Sequence, residues 1–164
     1  MENKNEQVAP TTGAGASAGG PATEHPAYYV PRFSVDGSGY IGGWYPVLVD
    51  REEFYNEVLG RGELVLLNAV VPYEDIGMMF VSKIATDDAV ELMRRAREIK
   101  SYIGHVATAQ VLSTATGREI QMNRDRYVPR RGNVALVARL KTRPAGDVKD
   151  VRLEDLEFMV IWYL

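Results

Sequence analysis

Cysteine is absent from all 164 residues. That excludes disulfides, thiolate zinc centres and a cysteine nucleophile, and it fits an intracellular protein. Histidine is nearly absent too. Of the two in the chain, His25 lies in a low-complexity stretch, which leaves His105 as the one neutral-pH acid–base side chain beyond the first 25 residues. Positive charge has no excess: 19 basic against 22 acidic residues give a net charge of −3 and a pI of about 5.5. No overall field recruits long nucleic acid, so an anionic ligand must be met by a local basic cluster. No apolar run approaches the roughly 20 residues of a membrane helix, and the polar N-terminus is no signal peptide. Neither a membrane nor long nucleic acid is expected as a partner.

What is present divides into three stretches. Residues 1–27 form a low-complexity tail, with Thr11 to Pro21 built of small residues that bury nothing, so disorder is expected there. Residues 28–62 interleave Tyr28, Tyr29, Phe33, Tyr40, Trp44 and Tyr45 with glycine and proline. Such an arm either stacks bases or packs its rings on the domain or on a second subunit. Within it, Arg51 to Leu59 reads as a short helix stopped at Gly60.

Residues 63–164 carry the domain. The apolar runs Leu64–Leu67, Met78–Ile84, Val134–Leu140 and Phe158–Leu164 predict strands. Thr86 opens a helix predicted from Asp87 to about Lys100, with Asp87 and Asp88 as first-turn acids. His105 to Thr116 predicts a second helix with Gly117 just past its end. Ile120 to Arg124 reads as a further strand, and Leu153 to Leu156 as a brief helix. Together these imply a mixed α+β fold of the α/β type. A mixed sheet is flanked by helices in a single compact domain with a disordered N-terminal extension.

His105 follows a glycine and opens a helix, where free backbone N–H groups and the helix dipole favour an anion. It is either a proton donor beside a bound phosphate or a residue that packs at a turn. Thr108 falls three residues later. Arg124, Arg126, Arg130, Arg131, Arg139, Lys141 and Arg143 crowd into twenty residues of an acidic chain. They are either a phosphate clamp or solvated faces. With no metal-ligand cluster and no cofactor motif, phosphodiester cleavage requires a substrate 2′-hydroxyl as nucleophile, which confines that chemistry to RNA-like substrates.

Leu67-Asn68-Ala69 follows the first strand, Ile103-Gly104-His105 is followed by Thr108 and Gly117, then come Asn123-Arg124 and the run from Arg139 to Arg143. With these in order, residues 64–164 resemble the viral and prophage anti-CRISPR ring nucleases that degrade cyclic tetra-adenylate. The resemblance implies a homodimer that shares one active site across its two-fold axis, in the host cytoplasm. It implies His105 as general acid, Thr108 as a hydroxyl contact, Asn68 at the strand end, and Arg124 and Arg143 on phosphates. The reaction implied is metal-independent scission to linear di-adenylates ending in 2′,3′-cyclic phosphates, which silences type III CRISPR defence. Three departures from the family pattern stand out. Val70-Val71 replaces a serine, Arg139 replaces a glutamine in the long strand, and Ala145-Gly146-Asp147 lacks a glutamate. Two further readings remain, a protein that sequesters the cyclic nucleotide with little or no catalysis, and an RNA-binding or structural viral protein.

Overall fold

The computed structural model of the chain describes residues 27–35, 41–72, 77–142 and 150–164. The low-complexity tail with His25, and the turn carrying Arg143 and Asp147, lie outside these residues.

Among the described residues, seven strands and three α-helices follow in order: β1 (Tyr28–Val35), β2 (Ile41–Val49), α1 (Arg51–Leu59), β3 (Leu64–Leu67), β4 (Met79–Ile84), α2 (Thr86–Arg95), β5 (Ile99–Tyr102), α3 (Val106–Thr116), β6 (Val134–Leu140) and β7 (Leu156–Tyr163). A short 3₁₀ turn at Leu153–Asp155 precedes β7. Five strands form a mixed sheet in the order β4-β7-β6-β3-β5. β3 runs parallel to both of its neighbours, while β7 is antiparallel to β4 and β6. The continuous apolar runs suit β3, β6 and β7 because each is central and buried on both faces.

One face of the sheet presents Leu64, Leu66, Leu136, Val160 and Trp162 to Leu92 and Met93 of α2 and Leu112 of α3. The other presents Val65, Leu67, Val137, Ile161 and Tyr163, covered by Tyr127 with Val70 and Val71 packed alongside. The described residues between 28 and 62 include the antiparallel β1–β2 ribbon and α1. Tyr28, Val30, Phe54, Tyr55 and Val58 belong to the same core cluster as the helices. The packing alternative for the aromatic arm therefore holds at Tyr28, whereas Phe33 and Tyr45 stay exposed.

Two elements depart from the sequence reading. The helix predicted to reach Lys100 ends at Arg95, and Ile99–Tyr102 is an edge strand parallel to β3. The Arg118 guanidinium donates to the carbonyls of Met93 (2.7 Å) and Ala96, which takes up the acceptors a longer helix would use. Strand pairing also satisfies the free edge of β3, a non-local gain that overrides helix propensity. The strand predicted at Ile120 to Arg124 is reduced to one bridge, Met122 to Ile103. The partner backbone turns at Gly104 into α3, so the ladder has nothing to continue on. Gly117 ends α3 in the left-handed conformation, φ 68°, which glycine adopts without penalty.

The buried carboxylate of Asp88, near the start of α2, ties the ribbon to the sheet domain. It accepts from Tyr55 Oη (2.6 Å) and Tyr28 Oη (3.0 Å), and Arg51 Nε lies 3.2 Å away. Burial, and then the hydrogen bond to Asp88, hold the Tyr55 phenol well above its ordinary range. Asp88 is a cross-link between elements in addition to a first-turn acid.

Candidate functional site

The carboxyl ends of β3 and β5 lie side by side, because Leu67 pairs with Tyr102 in the parallel ladder. β3 has β5 on one flank and β6 on the other. In open α/β sheets, the crevice where chain connections diverge to opposite sides of a strand is where ligands bind. Asn68 follows β3 directly and is half-buried there. Ile103-Gly104-His105 follows β5 and leads into α3.

His105 is the N-cap of α3, with φ −122° and ψ 124°, and its side chain makes no capping hydrogen bond. The imidazole is exposed beside the first-turn N–H groups, a setting suited to an anion. Gly104 forms the floor. A Cβ built there would stand 3.9 Å from Asn68 Nδ2 and 3.9 Å from Arg124 Cγ, so both side chains close over this backbone. Arg124 Nε donates to the Gly104 carbonyl at 3.3 Å. That contact anchors an exposed guanidinium next to the histidine. The structure thus brings Asn68, His105 and Arg124 together around Gly104.

The other residues named from the sequence are placed differently. Thr108 is only 3% exposed, beneath the first turn, while His105 is open. The N-cap residue has extended backbone angles, so helical i,i+3 spacing does not put these two side chains on one surface. Arg139 sits near the end of β6 on the face shared by Ala135 and Val137, opposite the helices. Its Nε donates to Glu157 Oε1 at 2.5 Å, and Lys83 approaches the same carboxylate at 3.4 Å. Arg143 falls outside the described residues. Among the described residues no three of His, Cys, Asp and Glu are grouped to hold a metal ion.

Periodicity gives no signal for two features of the site. One is the Gly104 carbonyl as acceptor for Arg124, which depends on the Met122–Ile103 bridge. The other is an apolar rim: Val106 is 52% exposed and Met122 41% exposed on either side of the histidine segment.

The Arg139 hydrogen bond, with a smaller contribution from Lys83, holds the Glu157 carboxyl below its ordinary value of 4.5. A depressed folded-state pKa gives stability that is present above the unfolded value and lost as pH falls through the folded one. Glu157→Gln is therefore expected to flatten the fall of the urea midpoint between about pH 5 and pH 3. Equal acid slopes in the two proteins would show that the pair contributes nothing to the pH dependence.

The family described as STIV B116-like matches residues 64–162, more than half of the chain. This protein belongs to the STIV B116-like family. Among solved structures, B116 of Sulfolobus turreted icosahedral virus superposes with a TM-score of 0.51 at 22% identity, covering 62% of this chain and 99% of B116. At that identity the likeness concerns the fold. No curated protein matches. Nearly all of B116 is thus accounted for by less than two thirds of this B116-like chain. The β1–β2 ribbon and α1 precede the matched residues, whereas Asn68, His105, Arg124 and also Asp88 lie within them.

Proposed function

We propose that this B116-like protein is a metal-independent ring nuclease. It opens cyclic tetra-adenylate to linear di-adenylates ending in 2′,3′-cyclic phosphates, inside an infected host cell and against type III CRISPR defence. The single observation that carries the reading is the convergence of Asn68, His105 and Arg124 on the Gly104 backbone at the first turn of α3. Such a site offers one proton donor, one amide, one guanidinium and a set of helix N–H groups to a phosphodiester.

In the proposed reaction the 2′-oxygen of one ribose attacks the adjacent phosphorus and loses its proton to solvent. The bond from phosphorus to the 5′-oxygen breaks, and His105 delivers a proton to that departing oxygen. Arg124 neutralises phosphate charge, and Arg143 is assigned the same task by family resemblance. Asn68 orients the ribose–phosphate segment. A cyclic ligand of four nucleotides exceeds one such site, which favours a homodimer that places two copies around it. The apolar rim of Val106 and Met122 supports a partner surface there.

The test is incubation of the full chain with cyclic tetra-adenylate, with and without excess EDTA, and chromatography of the products. Linear di-adenylate is expected at equal rates in both arms, because an exposed lone histidine without cysteine offers no zinc site. Loss with EDTA and rescue by a divalent cation would overturn the mechanism. A second reading, sequestration with little turnover, is favoured by one observation. Arg139, standing where the family has a glutamine, is held by Glu157.

A further inference from the structure

A second concavity lies at the other end of the sheet. It is bounded by Phe33 and Trp44 of the ribbon, Arg61 before β3, Arg131 before β6, and Trp162 at the end of β7, and encloses about 370 Å³. The start of β6 at Val134 borders it. The stretch of β6 from Val134 to Val137, the partner of Leu67 at the end of β3, sets it at least about 10 Å from the His105 end at about 3.3 Å per residue.

Two observations point to one kind of occupant. The walls are aromatic: Phe33 and Trp44 form a tilted ring pair at 5.3 Å, and the Trp162 ring borders the same space. Trp162, at the end of β7, is 1% exposed and closes the cleft from the sheet side. Cationic groups edge the space. The Arg61 guanidinium lies 5.8 Å from the Trp162 ring centroid, and the Arg131 side chain is exposed with no ion pair or hydrogen bond among the described residues.

Aromatic walls take a planar ring, and guanidinium groups take an attached anion. A nucleobase stacks on aromatic side chains and carries its phosphate a few ångströms away. We infer that the cleft between the ribbon and the β7 end is a second binding site, for a nucleoside monophosphate. The volume lies within the range of small-ligand sites. In this assignment the ring enters beside Phe33 and Trp44, and the phosphate meets Arg61 and Arg131. Because Phe33 and Trp44 precede the family-matched residues, the site requires the N-terminal ribbon that this chain carries ahead of the B116-like fold.

The chain has two tryptophans, and both line this cleft. Tryptophan fluorescence therefore reads this site directly. Titration of the full chain with adenosine monophosphate is expected to change that fluorescence saturably, with calorimetry giving the same dissociation constant. Adenosine, which lacks the charge, and ribose 5-phosphate, which lacks the base, are each expected to bind at least about tenfold more weakly. Arg131→Ala, an exposed change that leaves the core intact, is expected to weaken the monophosphate about tenfold or more. Arg124→Ala at the far end is expected to leave it unchanged. No saturable binding by either method up to about 1 mM overturns the assignment. So does binding that Arg124→Ala abolishes and Arg131→Ala spares, because the ligand would then occupy the His105 end.

Discussion

On the proposed mechanism, His105→Ala is expected to lower single-turnover cleavage of cyclic tetra-adenylate by about 10²–10⁴-fold, equivalent to roughly 3–5 kcal/mol of barrier. Binding of the intact ring is expected to change little. Proton donation to a leaving oxygen matures only as the bond breaks, so its loss appears in the chemical step and not in ground-state affinity. Arg124→Ala provides the contrast. Its guanidinium, anchored on the Gly104 carbonyl at 3.3 Å, meets charge already present on the bound phosphates. Its removal is expected to raise Kd and to slow cleavage together. Quenched-flow measurement with separate binding isotherms distinguishes the two patterns. If the unmutated protein holds the ring tightly and yields no linear product over hours, the enzyme reading fails and sequestration stands.

The largest expected effect on stability is at Asp88. Asp88→Ala is expected to cost about 3–5 kcal/mol, the usual penalty for removing one partner of a buried charged network. For a domain of this size that corresponds to a fall of roughly 6–20 °C in Tm. Two phenols and a guanidinium converge on this one carboxylate. Tyr55 Oη donates at 2.6 Å and Tyr28 Oη at 3.0 Å, and Arg51 Nε also donates to Tyr28 Oη at 2.8 Å. Without Asp88 the Tyr55 hydroxyl is left buried with no acceptor, which costs about 1–3 kcal/mol by itself. The ribbon then loses its polar attachment to α2. Tyr55→Phe removes one donor and leaves the carboxylate with its other partners, so a fall of no more than about a third as much is expected. Thermal denaturation followed by circular dichroism compares them. A shift below about 2 °C for Asp88→Ala would show that the cluster is only a surface ion pair.

The sheet was largely legible because its inner strands are apolar on both faces. Leu64–Leu67, Val134–Leu140 and most of β7 read directly as buried strands. α3 was legible from its terminating Gly117. β5 was not, since its four residues carry no alternation and become a strand only beside β3. The β1–β2 ribbon was hidden by its composition. Pro31 stands opposite Pro46, and Gly42 and Gly43 interrupt the pattern, so propensity argues against strands that cross-strand pairing and the Tyr28 anchor nonetheless hold. At the site, His105 could be named as the lone histidine after a glycine at the start of a predicted helix, and Asn68 from the family resemblance. Arg124 could be named as a basic residue, but its hold on the Gly104 carbonyl arises from chain segments twenty residues apart.

The position of β7 bears on how the chain reaches this fold during synthesis. β7, made after every other strand of the sheet, is inserted between β4 and β6. Until residues 156–163 have emerged from the ribosome, β4 has no neighbour and β6 presents an open apolar edge. The half-sheet β6-β3-β5 is therefore the largest piece that can pair early, and it does so with exposed backbone donors and acceptors of the kind that recruit other chains. Closure of the sheet is a late, single event, so a stalled or prematurely ended chain is expected to be a substrate for aggregation or proteolysis and not a smaller folded domain.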